Sequence, residues 1–170
     1  MIQRVMFWLM GAFSLQAMQL EGSFTSNSMV EKTGAPYVLL LTCPFVSEAF
    51  VSNKRPVTFL LAMTDFLSEE LLSKHVVVEA ELIGIDRSCF FPIPIMQIQE
   101  VTPIGHPEDW DEEYPDFMPY LSKIITAGVG LMLWESWLAG NSVFSGRDGF
   151  VIETLPDGQE IVRERYLLDR

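Results

Sequence analysis

Histidine is the side chain best suited to acid–base chemistry near neutral pH, and this sequence contains two, His75 and His106. A serine or cysteine nucleophile needs a neighbouring base, yet the sequence has no GxSxG motif and no other serine signature. We expect His75 to be an exposed or capping residue at the start of a strand. The sequence therefore predicts no catalytic residues and a protein that is not an enzyme.

Carboxylates are concentrated in residues 106–116, which hold six Asp and Glu residues and no Lys or Arg. Oxygen ligands of this kind suit calcium, but the segment lacks the glycine that gives an EF-hand loop its sharp turn. We interpret it as a solvated acidic linker and predict no metal ligands.

Phosphate-binding motifs are also missing, because the sequence has neither GxxxxGK[ST] nor GxGxxG. We predict no cofactor. Acidic residues outnumber basic ones by 23 to 11, which gives a net charge of -12. A nucleic-acid backbone would be repelled by that charge, so we predict no nucleic-acid partner.

The two cysteines, Cys43 and Cys89, do not have the CxxC spacing of a redox or metal site. In an oxidising compartment they could form a disulfide that closes a loop of about 45 residues, worth on the order of 3 to 4 kcal/mol. Two buried free thiols are the alternative. Sequence does not decide between the two, because pairing depends on geometry.

Aromatic residues are dense in the second half of the chain. Their commonest use is to pack a helix and a hairpin onto the rest of the protein. The functional alternative is an apolar docking surface for a protein partner, in which Trp and Tyr are the anchors. The candidate partner-binding residues are Trp110, Tyr114, Trp134 and Trp137.

The composition of the chain is that of a folded protein, whose helices and strands would position these residues. Its 170 residues are 49% apolar and 20% charged, which is enough to form one domain with a core and appendages. The strongest strand signal is an alternation in which Val76, Val78, Ala80 and Leu82 share one face, and Val77, Glu79, Glu81 and Ile83 share the other. Alternation, or a continuous apolar run of strand length in 37–46, predicts strands at 37–46, 56–64, 75–85 and 90–102, with a weak first strand at 20–25 and a short helix at 65–73.

This order of elements is typical of an OB fold, a five-stranded barrel with a helix between its third and fourth strands. We therefore predict a mainly β protein with α, in which residues 18–105 form an OB-like barrel. If the first strand is absent, the alternative is an α+β fold with a four-stranded antiparallel sheet.

Residues 117–170 are predicted to form a helix and a β-hairpin appended to the barrel. Segment 117–144 is apolar and long enough for a helix, and Asp157-Gly158 supplies the hairpin turn. The charge-free stretch from Ile124 to Trp134 is shorter than the roughly 20 residues of a membrane span. We predict that the helix packs on the barrel, and the alternative is peripheral or single-helix membrane association through 121–144.

The N-terminus resembles a signal peptide in residues 1–17, where Arg4 precedes an apolar run. A buried N-terminal helix is the alternative. We predict a periplasmic or secreted protein, or alternatively a membrane-associated one.

The expected function is that of an exported non-catalytic binding or assembly module of the cell envelope with a protein partner. The alternatives are a membrane-associated structural subunit of an envelope complex and a cytoplasmic OB-type nucleic-acid binder.

Overall fold

A closed barrel of five strands forms the first part of the fold. The computed structural model describes residues 17–45, 57–105 and 117–165. The barrel strands are β1 (Met18–Ser26), β2 (Tyr37–Phe45), β3 (Val57–Met63), β4 (His75–Asp86) and β5 (Ile93–Gly105). They run around the barrel in the order β1-β2-β3-β5-β4, and only the β3–β5 pair is parallel. This arrangement confirms the predicted OB-like barrel. The predicted acidic linker, and all but Ala17 of the predicted signal peptide, lie outside the described residues.

The first strand, weakly predicted from sequence, is nine residues long and is paired on both sides. Gly22 lies opposite Leu41 on β2 and opposite Val76 on β4. A Cβ atom at position 22 would lie 2.0 Å from the carbonyl oxygen of Leu40. Glycine is therefore needed where β1 passes between its two neighbours.

The helix predicted at 65–73 is only a 3-10 helix, Glu69–Leu71. The connection from β3 to β4 is held to β1 by its backbone, because Leu72 forms a bridge with Phe24 and the N–H of Ser73 donates to the Phe24 carbonyl. Leu72 is extended and Ser73 has a positive φ of 65°, so the backbone leaves the helical conformation where the predicted helix would continue. The short helix α1 (Val30–Thr33), between β1 and β2, was not predicted.

Two separate apolar cores explain why β3 is apolar on both faces. One core fills the barrel and includes Leu39 and Leu60. The other lies outside the barrel, where Val38 and Phe59 pack against helix α2 (Phe117–Leu138). The prediction that this helix packs on the barrel is confirmed.

Helix α2 ends at Leu138 rather than continuing through the predicted segment to residue 144. Gly140 adopts a left-handed backbone conformation with φ 86°. The Asn141 N–H donates to the Ser136 carbonyl, and the Gly140 N–H donates to the Trp137 carbonyl. This pair of bonds is a Schellman motif, which ends the helix and directs the chain into a strand.

A separate three-stranded antiparallel sheet follows, formed by β6 (Val143–Arg147), β7 (Phe150–Thr154) and β8 (Glu160–Arg165). The predicted hairpin at Asp157-Gly158 is confirmed as the β7–β8 connection. Strand β6 was not predicted. It is joined to β7 by a two-residue turn in which Asp148 and Gly149 both have positive φ, the conformation of a type I′ turn.

Candidate functional site

Helix α2 covers the outer face of β2 and β3. The ring of Trp134 is fully buried and lies against Phe59, with ring centroids 5.6 Å apart and an interplanar angle of 57°. Leu131 and Ala127 are buried on the same side of the helix. OB folds bind oligonucleotides and oligosaccharides on this face of strands 2 and 3, so in this protein the chain itself occupies it.

The two loops that complete ligand sites in OB folds also contact the C-terminal part of the chain. In the β1–β2 loop (residues 27–36), Ser28 Oγ donates to Glu135 Oε1 at 2.7 Å, and Lys32 Nζ donates to the Leu138 carbonyl at 2.6 Å. In the β4–β5 loop (residues 87–92), Phe90 packs edge to face on Trp137 with centroids 4.9 Å apart. The face and both loops are therefore engaged by α2 and the residues that follow it.

The opposite side of α2 is an exposed apolar surface, which we call the α2 outer face and define as Ile125, Val129 and Met132. Their exposed fractions are 57%, 51% and 68%. Spacings of four and three residues place them on one side of the helix. A Cβ atom added at Gly128, beside them, would meet no atom within 4 Å. A cluster of exposed apolar side chains of this kind is a candidate interaction site.

Of the four predicted anchors, the structure describes Trp134 and Trp137. Trp134 is a core residue and is not accessible to a partner. Trp137 is half-buried, and its Nε1 donates to the Thr154 carbonyl at 3.3 Å, so it holds the small sheet against α2. Trp110 and Tyr114 lie outside the described residues.

The α2 outer face was not identified from the sequence. Apolar residues occur on both sides of the helix, and a barrel can cover only one of them. The helix therefore has more apolar positions than one contact with the barrel can bury. This excess was the signal in the sequence that an apolar side would remain exposed. Choosing the exposed side required the position of the barrel.

A small apolar groove of about 150 Å³ lies between β3, the β4–β5 loop and α2. Four aromatic residues line it together with a threonine, a glycine and a leucine, and they are Thr58, Phe59, Phe90, Phe91, Gly130, Leu133 and Trp137. The groove borders the contact between barrel and helix, and its size suits a single apolar side chain.

Two chemically reactive side chains of the barrel, His75 and Cys43, lie near β1. His75 is buried, which corrects the expected exposed position, and its Nε2 is 2.5 Å from Glu21 Oε1. A neighbouring cavity of about 270 Å³ is lined by Gln19, Leu20, Glu21, Cys43 and Val77. The structure thus pairs the imidazole of His75 with a carboxylate.

Both cysteines are free thiols in this structure. Cys43 is exposed on β2. Cys89 is half-buried in the β4–β5 loop, with its Sγ 3.9 Å from the Pro156 carbonyl oxygen. The two thiols therefore have different neighbours.

Within residues 17–45, 57–105 and 117–165, no group of three or more His, Cys, Asp or Glu could hold a metal ion. Among the helices of the same ranges, none is long and apolar enough to cross a membrane. The acidic segment 106–116 lies outside these ranges.

The fold and its surface define a mainly β protein in which an OB-like barrel carries a helix on its β2–β3 face and exposes the other side of that helix. Comparison of the chain with protein-family models, with curated proteins and with solved structures found no match.

Proposed function

We propose that this protein is a non-catalytic binding or assembly module that docks a protein partner on the α2 outer face. The observation that carries the proposal is the exposure of Ile125, Val129 and Met132 on one side of a helix whose other side is buried. Such a stripe on a helix is the part of a helix-in-groove interface that supplies the apolar anchors.

The chemistry of the face favours an apolar partner surface. Lys123 and Glu135 are the first charged residues on either side of the stripe, and no charge lies between them. The rest of the chain is strongly acidic, so basic residues around the rim of the partner's groove would increase the association rate.

The covered barrel face supports a protein partner over a nucleic acid. An oligonucleotide at the OB-fold site would have to displace Trp134 and the helix that carries it. It would also meet a net charge of -12. Neither feature opposes docking on the α2 outer face.

Replacing Val129 with glutamate should abolish capture of the partner, because the substitution places a charge in the centre of an apolar contact. We expect recovery in an affinity pull-down from the protein's own envelope fraction to fall by at least about tenfold. Phe66→Glu is the matched control, since Phe66 has the same exposed fraction of 51% but lies in the β3–β4 connection. Equal loss with both variants would refute the role of α2.

In the membrane-associated alternative, the same apolar stripe would contact lipid. Fractionation distinguishes this alternative from docking of a protein partner. We propose that the protein is released by a carbonate wash and does not sediment with lipid vesicles, because α2 carries only Lys123 as a basic residue to hold it at an anionic surface. Retention on membranes that the Val129→Glu substitution abolishes would favour the membrane alternative.

Export is the second part of the proposal, and it rests on the sequence of residues 1–17. We expect the mature chain from the native host to begin near Leu15 or Met18, as measured by intact mass spectrometry. The Arg4→Glu variant, which reverses the charge that precedes the apolar run, should accumulate unprocessed. Recovery of the full-length mass from the wild type would exclude the signal peptide and favour a cytoplasmic protein.

A further inference from the structure

The small sheet has two edges that differ in charge. Strand β8 carries four charged residues, and strand β6 carries one, Arg147, beside the turn. Charged residues on an edge strand prevent pairing with other chains. Edge β8 is protected in this way, whereas β6 from Val143 to Gly146 is not.

Turn geometry fixes which backbone groups of β6 face outward. In a hairpin closed by a two-residue type I′ turn, the residues that flank the turn form a hydrogen-bonded pair, here Arg147 and Phe150. Pairs then alternate along the strand, so Ser145 and Val143 also bond to β7. The N–H and C=O groups of Phe144 and Gly146 therefore point away from β7.

These outward groups are open to solvent. Residues 144–147 are all exposed, and the side chain of Phe144 is 62% exposed. In the described part of the chain, β6 has β7 as its only strand neighbour. An edge with this exposure, a short apolar sequence and unpaired backbone groups is a template for another extended strand.

We propose that β6 pairs antiparallel with β6 of a second copy of this chain, so that two small sheets join into one. A two-fold axis at Ser145 places Phe144 opposite Gly146 of the second copy and Gly146 opposite its Phe144. Each of these pairs brings outward-facing N–H and C=O groups together, so each exchanges both backbone hydrogen bonds. The register follows from the turn and is the same for both copies, as an isologous interface requires.

The side chains of β6 are complementary to themselves in this register. Phe144 covers the glycine of the other copy, a cross-strand pair that stabilises glycine in an edge strand. Val143 lies opposite Arg147 of the second copy, so no like charges face each other directly. Arg147 is already paired with Glu160, with Nη2 and Oε2 2.7 Å apart, which reduces repulsion between the two copies. These three features favour a second copy over an unrelated strand.

Sedimentation equilibrium of the full chain over a range of concentrations tests the proposal. We expect a monomer–dimer equilibrium whose dissociation constant rises at least about tenfold in Phe144→Lys. Val162→Lys is the matched control, since Val162 is 61% exposed on the opposite edge of the same sheet, and it should leave the constant unchanged.

A second variant, Gly146→Pro, removes an outward N–H and leaves the bonds to β7 intact, so it should also weaken the dimer. Circular dichroism of every variant confirms that it folds. A wild type that stays monomeric, or equal effects of Phe144→Lys and Val162→Lys, would overturn the proposal. A dimer lost in Val129→Glu but kept in Phe144→Lys would place the self-contact on α2 and would overturn it as well.

This inference goes beyond the proposed function and can fail independently of it. Phe144→Lys should still capture the partner in the pull-down, and Val129→Glu should still dimerise.

Discussion

The Gly22→Ala variant is expected to lose about 2 to 4 kcal/mol of unfolding free energy, measured by urea denaturation. The added methyl group would lie 2.0 Å from the Leu40 carbonyl oxygen and 2.9 Å from its carbonyl carbon. Both are backbone atoms of a paired strand, so they can move only if the β1–β2 pairing opens. Because Gly22 also faces Val76, the strain extends to the β1–β4 pairing.

The same substitution at Gly128 is the control, and its effect should have the opposite sign. Gly128 lies inside α2, and nothing is within 4 Å of the added Cβ. Replacing glycine with alanine in a helix interior adds roughly 0.5 to 1 kcal/mol of stability. Similar losses at both positions would mean that the close approach at Gly22 is not the cause.

Trp134→Ala should destabilise the protein by about 3 to 5 kcal/mol, the range for removing a large aromatic side chain from a core. Trp134 fills the space between α2 and the outer face of β3, next to Phe59. Since α2 is held over the barrel largely by this core, we expect earlier loss of near-UV circular dichroism on heating. A cost below about 1 kcal/mol would show that the helix does not depend on this contact.

Trp134→Phe separates packing from polarity at the same position. Within the described residues, the buried Nε1 of Trp134 has no hydrogen-bond partner. Phenylalanine keeps most of the ring and removes the unsatisfied donor, so the loss should be less than about 1.5 kcal/mol. A loss as large as that of the alanine variant would indicate that the indole N–H makes a hydrogen bond after all.

Much of the barrel could be predicted from alternation alone. In β4, Val76, Val78 and Ala80 all point into the barrel, as the pattern indicated. Strand β3 was also identified from the sequence. Its burial on both faces could not be predicted, because the second face is covered by a helix about 60 residues later in the chain.

Local signals were misinterpreted where two structures compete for the same residues. Residues 139–144 continue the apolar segment of α2, yet Gly140 ends the helix and Val143 and Phe144 begin β6. The Asp148-Gly149 pair is a turn signal as strong as the Asp157-Gly158 pair that was used. Recognising it would have predicted the third strand of the small sheet.

The candidate site was less predictable than the fold. Trp134 and Trp137 hold α2 and the small sheet in place, as the commonest use of aromatic residues indicates, but residue type does not tell an anchor from a core residue. Trp134 and Met132 are two positions apart in sequence, and they face opposite sides of α2. Which of them meets solvent depends on the rotation of the helix on the barrel, and that is set by tertiary packing.

The contacts of α2 and the small sheet with the barrel make the C-terminal part an intramolecular ligand. Its helix lies on the β2–β3 face, and its contacts reach Lys32 in one loop and Phe90 in the other. A tethered segment has an effective local concentration in the millimolar range or above. A free competitor for the same face must overcome that concentration as well as the packing of Trp134. The β2–β3 face of the barrel is thus occupied by the chain's own helix, and any competitor has to displace α2 to reach it.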